Sequence, residues 1–220
     1  MTRAIYDRIG LDYADVRKPD PRLAQIIHQP ICDFETVLNV GAGTGSYEPM
    51  DKDLVALEPS WKMISQRRTD AASCVCGVVE DLPFADNSFA AGLAILTLHH
   101  WRDISRGLSE LSRVAAKRLV IFTWDPKAAS SLWINDYFPE NIELDLVRFP
   151  VFDDFVGQFS NVSVIEVPVP HDCSDGFLGA YWRRPAAYLD ERVRKGSSTF
   201  HQISQETLVQ GLTQLRADLD

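Results

Sequence analysis

Leu38 to Pro49 reads LNVGAGTGSYEP, and this stretch decides the fold. Three glycines, Gly41, Gly43 and Gly45, alternate with small residues directly after an apolar run that ends at Val40. Glycine lets a backbone turn tightly and lets a ligand approach with no Cβ in the way. Such a loop belongs just past a strand, because in an open parallel sheet ligands bind beyond the carboxyl ends of the strands. The turn of helix expected after it would offer unpaired N–H groups, although only Ser46 to Asp53 separate the glycines from the next apolar run.

Outward from the loop, apolar runs alternate with helical spacing. Thr36 to Val40, Leu54 to Leu57, Cys74 to Val78, Ala90 to Leu98 and Leu119 to Trp124 read as strands. Between the last two, Ile104, Leu108, Leu111 and Ala115 recur at spacings of four, three and four, one face of a helix. Strand, helix, strand at this interval builds a mostly parallel sheet. Val162 to Val167 reads as a sixth strand, and Phe177 to Trp182 as a seventh, antiparallel one. Pro185 opens a helix carrying Leu189 and Val193 that Gly196 closes, and Ser204 caps a last helix bearing Leu208, Leu212 and Leu215. A single domain is expected over 1–220. It has an amino-terminal extension over about 1–33, a ligand-binding core over about 34–125, a helical substrate-side insertion over about 127–155, and strands and helices over about 160–220.

Composition narrows the function. The 220 residues carry 31 acidic against 22 basic side chains, a formal charge of -9, which disfavours nucleic acid as a partner. No apolar run is long enough to span a membrane, and MTRAIYDRIG lacks the apolar core of a signal peptide. Cys32, Cys74, Cys76 and Cys173 show no spacing for zinc, so reduced cysteines in the cytoplasm are expected and no metal.

Three cofactor classes use a glycine loop after a strand. A P-loop needs Gly-Lys-Ser/Thr, and Gly45 is followed by Ser46 and Tyr47. The dinucleotide pattern GxGxxG started at Gly41 meets Ser46 where glycine is required, and started at Gly43 it meets Glu48. The third class fits. GAGTG, then LVALEPSWKMI, then GVVEDLPFADNSFAAGLAILTLHHW follow in order over Val37 to Asp125. Together they resemble the class I S-adenosylmethionine-dependent methyltransferases, in particular the small-molecule "type 11" group.

That resemblance implies a Rossmann-like α/β fold: a seven-stranded, mostly parallel sheet with flanking helices, an antiparallel last strand, a helical insertion and carboxy-terminal helices. It implies S-adenosyl-L-methionine as cofactor, S-adenosyl-L-homocysteine as product, and in-line methyl transfer achieved mainly by positioning. Gly41, Ala42, Gly43 and Gly45 would pass beside the cofactor, Glu58 and Pro59 would meet the ribose, and Met63, Val79 and Glu80 the adenine. A carboxylate at the position of Glu58 can accept from both ribose hydroxyls. Two positions depart from the family pattern: Val78 stands where many members have an aspartate toward the adenine amine, and Ala90 follows Phe89 where many have Phe-Asp.

The acceptor side is less sharply written. His100 leaves the fourth strand and is a candidate base, with His99 packed nearby. His171 and Asp172 lie in the polar loop Pro168 to Gly176, as a base pair, a substrate anchor or a loop cap. Arg17 can pair with the cofactor's carboxylate. Tyr13, Trp101, Trp124, Tyr137 and Tyr181 are candidate walls for a flat or apolar small acceptor. The chain is expected to be a monomer or homodimer. Two other functions remain open on sequence alone, a non-catalytic cofactor-binding or interaction domain and a nicotinamide-dependent oxidoreductase.

Overall fold

The computed structural model describes Tyr6 and residues 16–149, 152–157 and 159–220. The chain divides into two compact units, Met1–Ala14 with Pro21–Thr123, and Asp15–Asp20 with Trp124–Asp220.

The first unit is a parallel sheet with helices. Its strands are β1 (Thr36–Val40), β2 (Asp53–Glu58), β3 (Ser73–Cys76), β4 (Phe89–Ile95) and β5 (Ala115–Phe122), in the order β3-β2-β1-β4-β5. Every neighbouring pair runs parallel, with Val40 beside Leu57 on one side and Ala94 on the other. Sheet order reverses at β1, so the loop after β1 stands at the switch point where a ligand crevice opens. Helix α1 (Pro21–His28) precedes the sheet, α2 (Trp61–Ile64) follows β2, and α3 (Ile104–Val114) joins β4 to β5. The face of α3 is the one its spacing requires: Gly107, Leu108, Leu111 and Val114 are buried. Asp103 caps its start by accepting from the Arg106 N–H at 2.9 Å. Gly92 admits α3 against the sheet, since a Cβ there would lie 2.9 Å from Leu111 Cδ1 and 3.0 Å from Leu119 Cδ2.

The crossover from β1 to β2 has no helix. Residues 41–52 form turns, with left-handed backbone at Gly41, Gly43, Gly45 and Tyr47. The expected turn of helix after the glycines is therefore corrected. Positive φ at 45 and 47 breaks a right-handed helix, and Pro49 supplies no N–H.

The second unit is helical. It contains α4 (Pro126–Ala129), α5 (Ile134–Tyr137), α6 (Glu140–Arg148), α7 (Phe152–Val156), α8 (Glu191–Lys195) and α9 (Gln205–Leu219). Ile134, Phe138, Tyr188, Phe200, Ile203 and Leu215 form its core. Ser204 caps α9, accepting from the Thr207 N–H at 3.1 Å. The helix expected from Pro185 is two pieces, a 3₁₀ turn over Pro185–Leu189 and then α8, with Asp190 capping the second.

Two expected strands are not strands, so the sheet has five among the described residues, all parallel, rather than seven with an antiparallel last. Val162 to Val167 runs unpaired, with Val162, Val164 and Ile165 exposed at 42%, 58% and 61%. Phe177 to Trp182 instead holds a 3₁₀ turn over Leu178–Tyr181. Gly179 and Ala180 are buried within that turn, and a Cβ on Gly179 would lie 2.6 Å from the Trp124 ring.

Candidate functional site

The site is built from the ends of β1, β2 and β4. After Val40, Gly41 turns at φ 63° where a Cβ would lie 1.9 Å from Thr97 Oγ1, so only glycine fits between the loop and the β4 exit. The Ala42 N–H donates to the Leu57 carbonyl at 3.1 Å, and the Gly45 N–H to the Ala42 carbonyl at 2.9 Å. Gly43, at φ 55°, differs from Gly41 in what it faces: among the described residues, a Cβ there touches Met63 Cε alone, at 3.4 Å. The space beside Gly43 is thus a shallow cradle closed by Met63, which is itself buried at the foot of α2.

Glu58 ends β2 with its carboxylate 5% exposed. Oε2 accepts from the Gly43 N–H and Oε1 from the Ser60 N–H, both at 2.9 Å. The carboxylate therefore fixes the glycine loop and the entry to α2 together. Ser60 caps α2 by accepting from the Met63 N–H at 3.3 Å, which sets the Met63 side chain over Gly43. Pro59 is exposed beside them, its carbonyl facing the Cys76 thiol at 3.9 Å. Burial pushes the Cys74 thiol up to about 11, which leaves it protonated and unreactive at neutral pH.

Beyond β3, Val79 is buried against Gly107, where a Cβ would meet its Cγ1 at 2.9 Å. Glu80 is occupied by α3: its Oε1 accepts from the Arg102 and Asp103 N–H groups at 2.7 and 3.3 Å, and its carbonyl from Arg106 Nε at 2.6 Å. Its carboxylate serves the start of a helix. The segment after it is fastened by Arg113, which donates to the carbonyls of Leu82 and Phe84 and to Asp86 and Glu110. Hydrogen bonds from Arg113 and from the Leu82 N–H hold the Glu110 carboxyl down at about 2.

At the β4 exit, Leu96 takes φ 50° and a 3₁₀ turn over Leu98–His100 follows. His100 Nε2 lies 3.2 Å from the Tyr6 hydroxyl, and the His99 and His100 rings lie 3.8 Å apart. Trp101 Nε1 donates to Thr97 Oγ1 at 3.3 Å. Thr97 thereby links the glycine loop to Trp101.

The remaining sequence candidates lie in the second unit, except Tyr13, which falls outside the described residues. Arg17 forms a two-pronged pair with Asp175, at 2.7 and 3.2 Å, so its guanidinium fork is taken up inside its own unit. His171 and Asp172 are exposed neighbours 3.8 Å apart. Trp124 packs on Gly179, Tyr137 donates to Asp218 at 2.8 Å, and Tyr181 stacks under Arg184 and edge-on to Tyr188. Sequence reading missed Thr97, Ser60, Tyr6 and Arg113. Thr97, Ser60 and Tyr6 each act on a residue it did find, and Arg113 fastens the segment after Glu80, through contacts whose positions spacing does not encode.

These residues fit S-adenosylmethionine. A Cβ is missing at Gly43 where a side chain would stand, and the buried Glu58 carboxylate beside it is the kind of group that accepts from ribose hydroxyls. Among the described residues no cluster of His, Cys, Asp or Glu suits a metal ion, and no helix is long and apolar enough to cross a membrane.

Comparison with known proteins agrees. Residues 38–121 match the family model described as a methyltransferase domain. A solved structure from Anabaena variabilis ATCC 29413, described as a methyltransferase from an antibiotic biosynthesis pathway, superposes with a TM-score of 0.86 at 32% identity, covering 92% of this chain and 87% of that one. A curated demethylmenaquinone methyltransferase of Renibacterium salmoninarum is 36% identical over 86 residues, which span 36% of either chain. A methyltransferase structure from Thermotoga maritima shares the fold at a TM-score of 0.51 and 21% identity, over 70% of this chain and 76% of its own. The chain belongs to the S-adenosyl-L-methionine-dependent methyltransferases, and transfer of a methyl group from that cofactor is its activity.

Proposed function

We propose that this enzyme methylates a small-molecule acceptor, with the protein supplying position and His100 receiving a proton where the acceptor carries one. The observation that carries the reading is the Glu58–Gly43–Met63 arrangement, a buried carboxylate tied to a left-handed glycine beside an open cradle. The bound cofactor supplies an electrophilic methyl group on a sulfonium. The chain's own residues do the rest. Glu58 holds the loop and accepts from the ribose, Met63 closes one wall, and Thr97 sets the β4 exit against the loop.

For an acceptor whose nucleophile must lose a proton, His100 is the base favoured here. It leaves β4 at the carboxyl end of the sheet, and the Tyr6 hydroxyl 3.2 Å away fixes its ring. His171 and Asp172 are exposed neighbours, their side chains 67% and 60% accessible. A small acceptor is supported by the Anabaena relative, described as belonging to an antibiotic biosynthesis pathway, and by the net charge of -9, which opposes nucleic acid. Four unbridged cysteines support a cytoplasmic setting.

The test is turnover of labelled S-adenosylmethionine across a panel of phenols, amines, thiols and quinols. Transfer to one class at a rate that falls at least about tenfold in His100→Ala, with unchanged cofactor affinity, supports the reading. Transfer only to protein or nucleic acid rejects it.

A further inference from the structure

The glycine loop has no helix behind it, so its shape must be held by something else. Residues 46–52 are turns, and Tyr47 is buried in a left-handed conformation that a tyrosine does not adopt unaided. A conformation of this kind persists only where the surroundings over-determine it. Those surroundings are a buried ion pair. Arg67 Nη2 donates to Glu48 Oε2 at 2.7 Å, with both side chains 5% exposed. Asn39 Nδ2, on β1, donates to the other carboxylate oxygen at 3.1 Å. Arg67 also donates to the Ala72 carbonyl at 3.1 Å and to the Gly43 carbonyl at 3.4 Å. A Cβ on Gly45 would lie 3.1 Å from Glu48 Oε2 and 3.3 Å from Arg67 Nη1, so the pair rests directly on that glycine. On the other side of the turn, His28 Nε2 donates to the Tyr47 carbonyl at 2.8 Å.

We propose that Arg67 and Glu48 are positioning residues for the cofactor, a buried clamp that does the work of the missing helix. The peptide at Gly43 shows how the clamp acts. Its N–H is held by Glu58 and its carbonyl by Arg67, so the glycine sits between the ribose-facing carboxylate and the clamp. Releasing Arg67 lets the Gly43 peptide rotate and takes its N–H off Glu58. Cofactor affinity then falls although neither clamp residue faces the cradle. Glu48→Gln removes the charge and leaves one amide oxygen where two carboxylate oxygens accept, so an NH2 group replaces an acceptor that Arg67 and Asn39 now share. Arg67→Lys keeps the charge but loses the fork that reaches Glu48, Ala72 and Gly43 together.

The test measures the affinity of folded variants for S-adenosylhomocysteine by calorimetry, beside thermal melts and hydrogen exchange of the Gly43–Tyr47 amides without cofactor. Expected is a loss of about tenfold or more in Glu48→Gln, from lost preorganisation, and a smaller loss in Arg67→Lys, with faster exchange confined to the loop. Leu215→Ala, in the core of the other unit, is the control: it lowers the melting temperature and leaves affinity unchanged. If Glu48→Gln does not fold, Arg67→Lys and the exchange of the wild-type loop decide. Affinity within about twofold of wild type in a folded variant overturns the proposal, as does a loss that only tracks the melting temperature, or a wild-type loop that exchanges as fast as the exposed stretch 161–166. Wild-type protein that binds no S-adenosylhomocysteine would overturn the cofactor assignment itself, a distinct result.

Discussion

Gly41 and Gly43 are both left-handed, yet they are needed for different reasons, and substitution separates them. Gly43→Ala adds a methyl that, among the described residues, meets Met63 alone at ordinary contact distance, so its cost to the fold is the strained backbone, about 1–2 kcal/mol, while the methyl itself fills space beside the loop. The fold survives, and calorimetry is expected to show affinity for S-adenosylhomocysteine falling about tenfold. Gly41→Ala drives a methyl into Thr97, and is expected to lower the melting temperature markedly, with soluble yield as a second readout. Glu58→Ala removes the acceptor for Gly43 and Ser60 as well as for the ribose, leaving buried donors unmet at about 1–3 kcal/mol. An unchanged titration curve for that variant would reject the contact. The glycines and Glu58 were legible because residue type and spacing alone specify them. The clamp was not, because Arg67 and Glu48 stand 19 residues apart and nothing in either residue names the other. Glu80 shows the reverse. An acidic residue at that spacing can serve a cofactor or a helix start, and here its Oε1 accepts from the Arg102 and Asp103 N–H groups just before α3.

Among the elements, α3 was the most readable, since its apolar spacing and the Asp103 cap agree. Leu111→Ala, at a fully buried position against Gly92, is expected to destabilise by about 2–5 kcal/mol in urea unfolding. The stretch 162–167 was misread for a physical reason. Its β-branched alternation fits a pleated surface, but strand formation requires a neighbour to pair with, and that is decided elsewhere in the chain. Helix α6 carries a pH-dependent element that sequence did not disclose. Asp145 is buried, and desolvation, only partly offset by Arg148, pushes its carboxyl up to about 6, above the ordinary aspartate range. The native state then binds the proton more tightly than the unfolded chain, so stability falls as pH rises from about 4 to about 6 and stays lower above that, by roughly 3 kcal/mol at most. Asp145→Asn is expected to flatten this slope in melts at pH 4.5 and 7. An equal slope in the variant would assign it to other groups.

At the scale of the molecule, the sheet order places the loop after β1 at the reversal point, and the sequence's order of motifs led there directly. What it could not show is that, among the described residues, the sheet has five parallel strands and the first crossover has no helix. The glycine loop therefore relies on side chains where a helix was expected, and cofactor binding becomes the property on which the whole account rests. Calorimetric titration of the wild-type protein with S-adenosylhomocysteine, with NAD in parallel, tests it most directly. The account predicts saturable binding of one S-adenosylhomocysteine per chain at micromolar affinity and none of NAD. Absence of S-adenosylhomocysteine binding, or comparable binding of NAD, would contradict it.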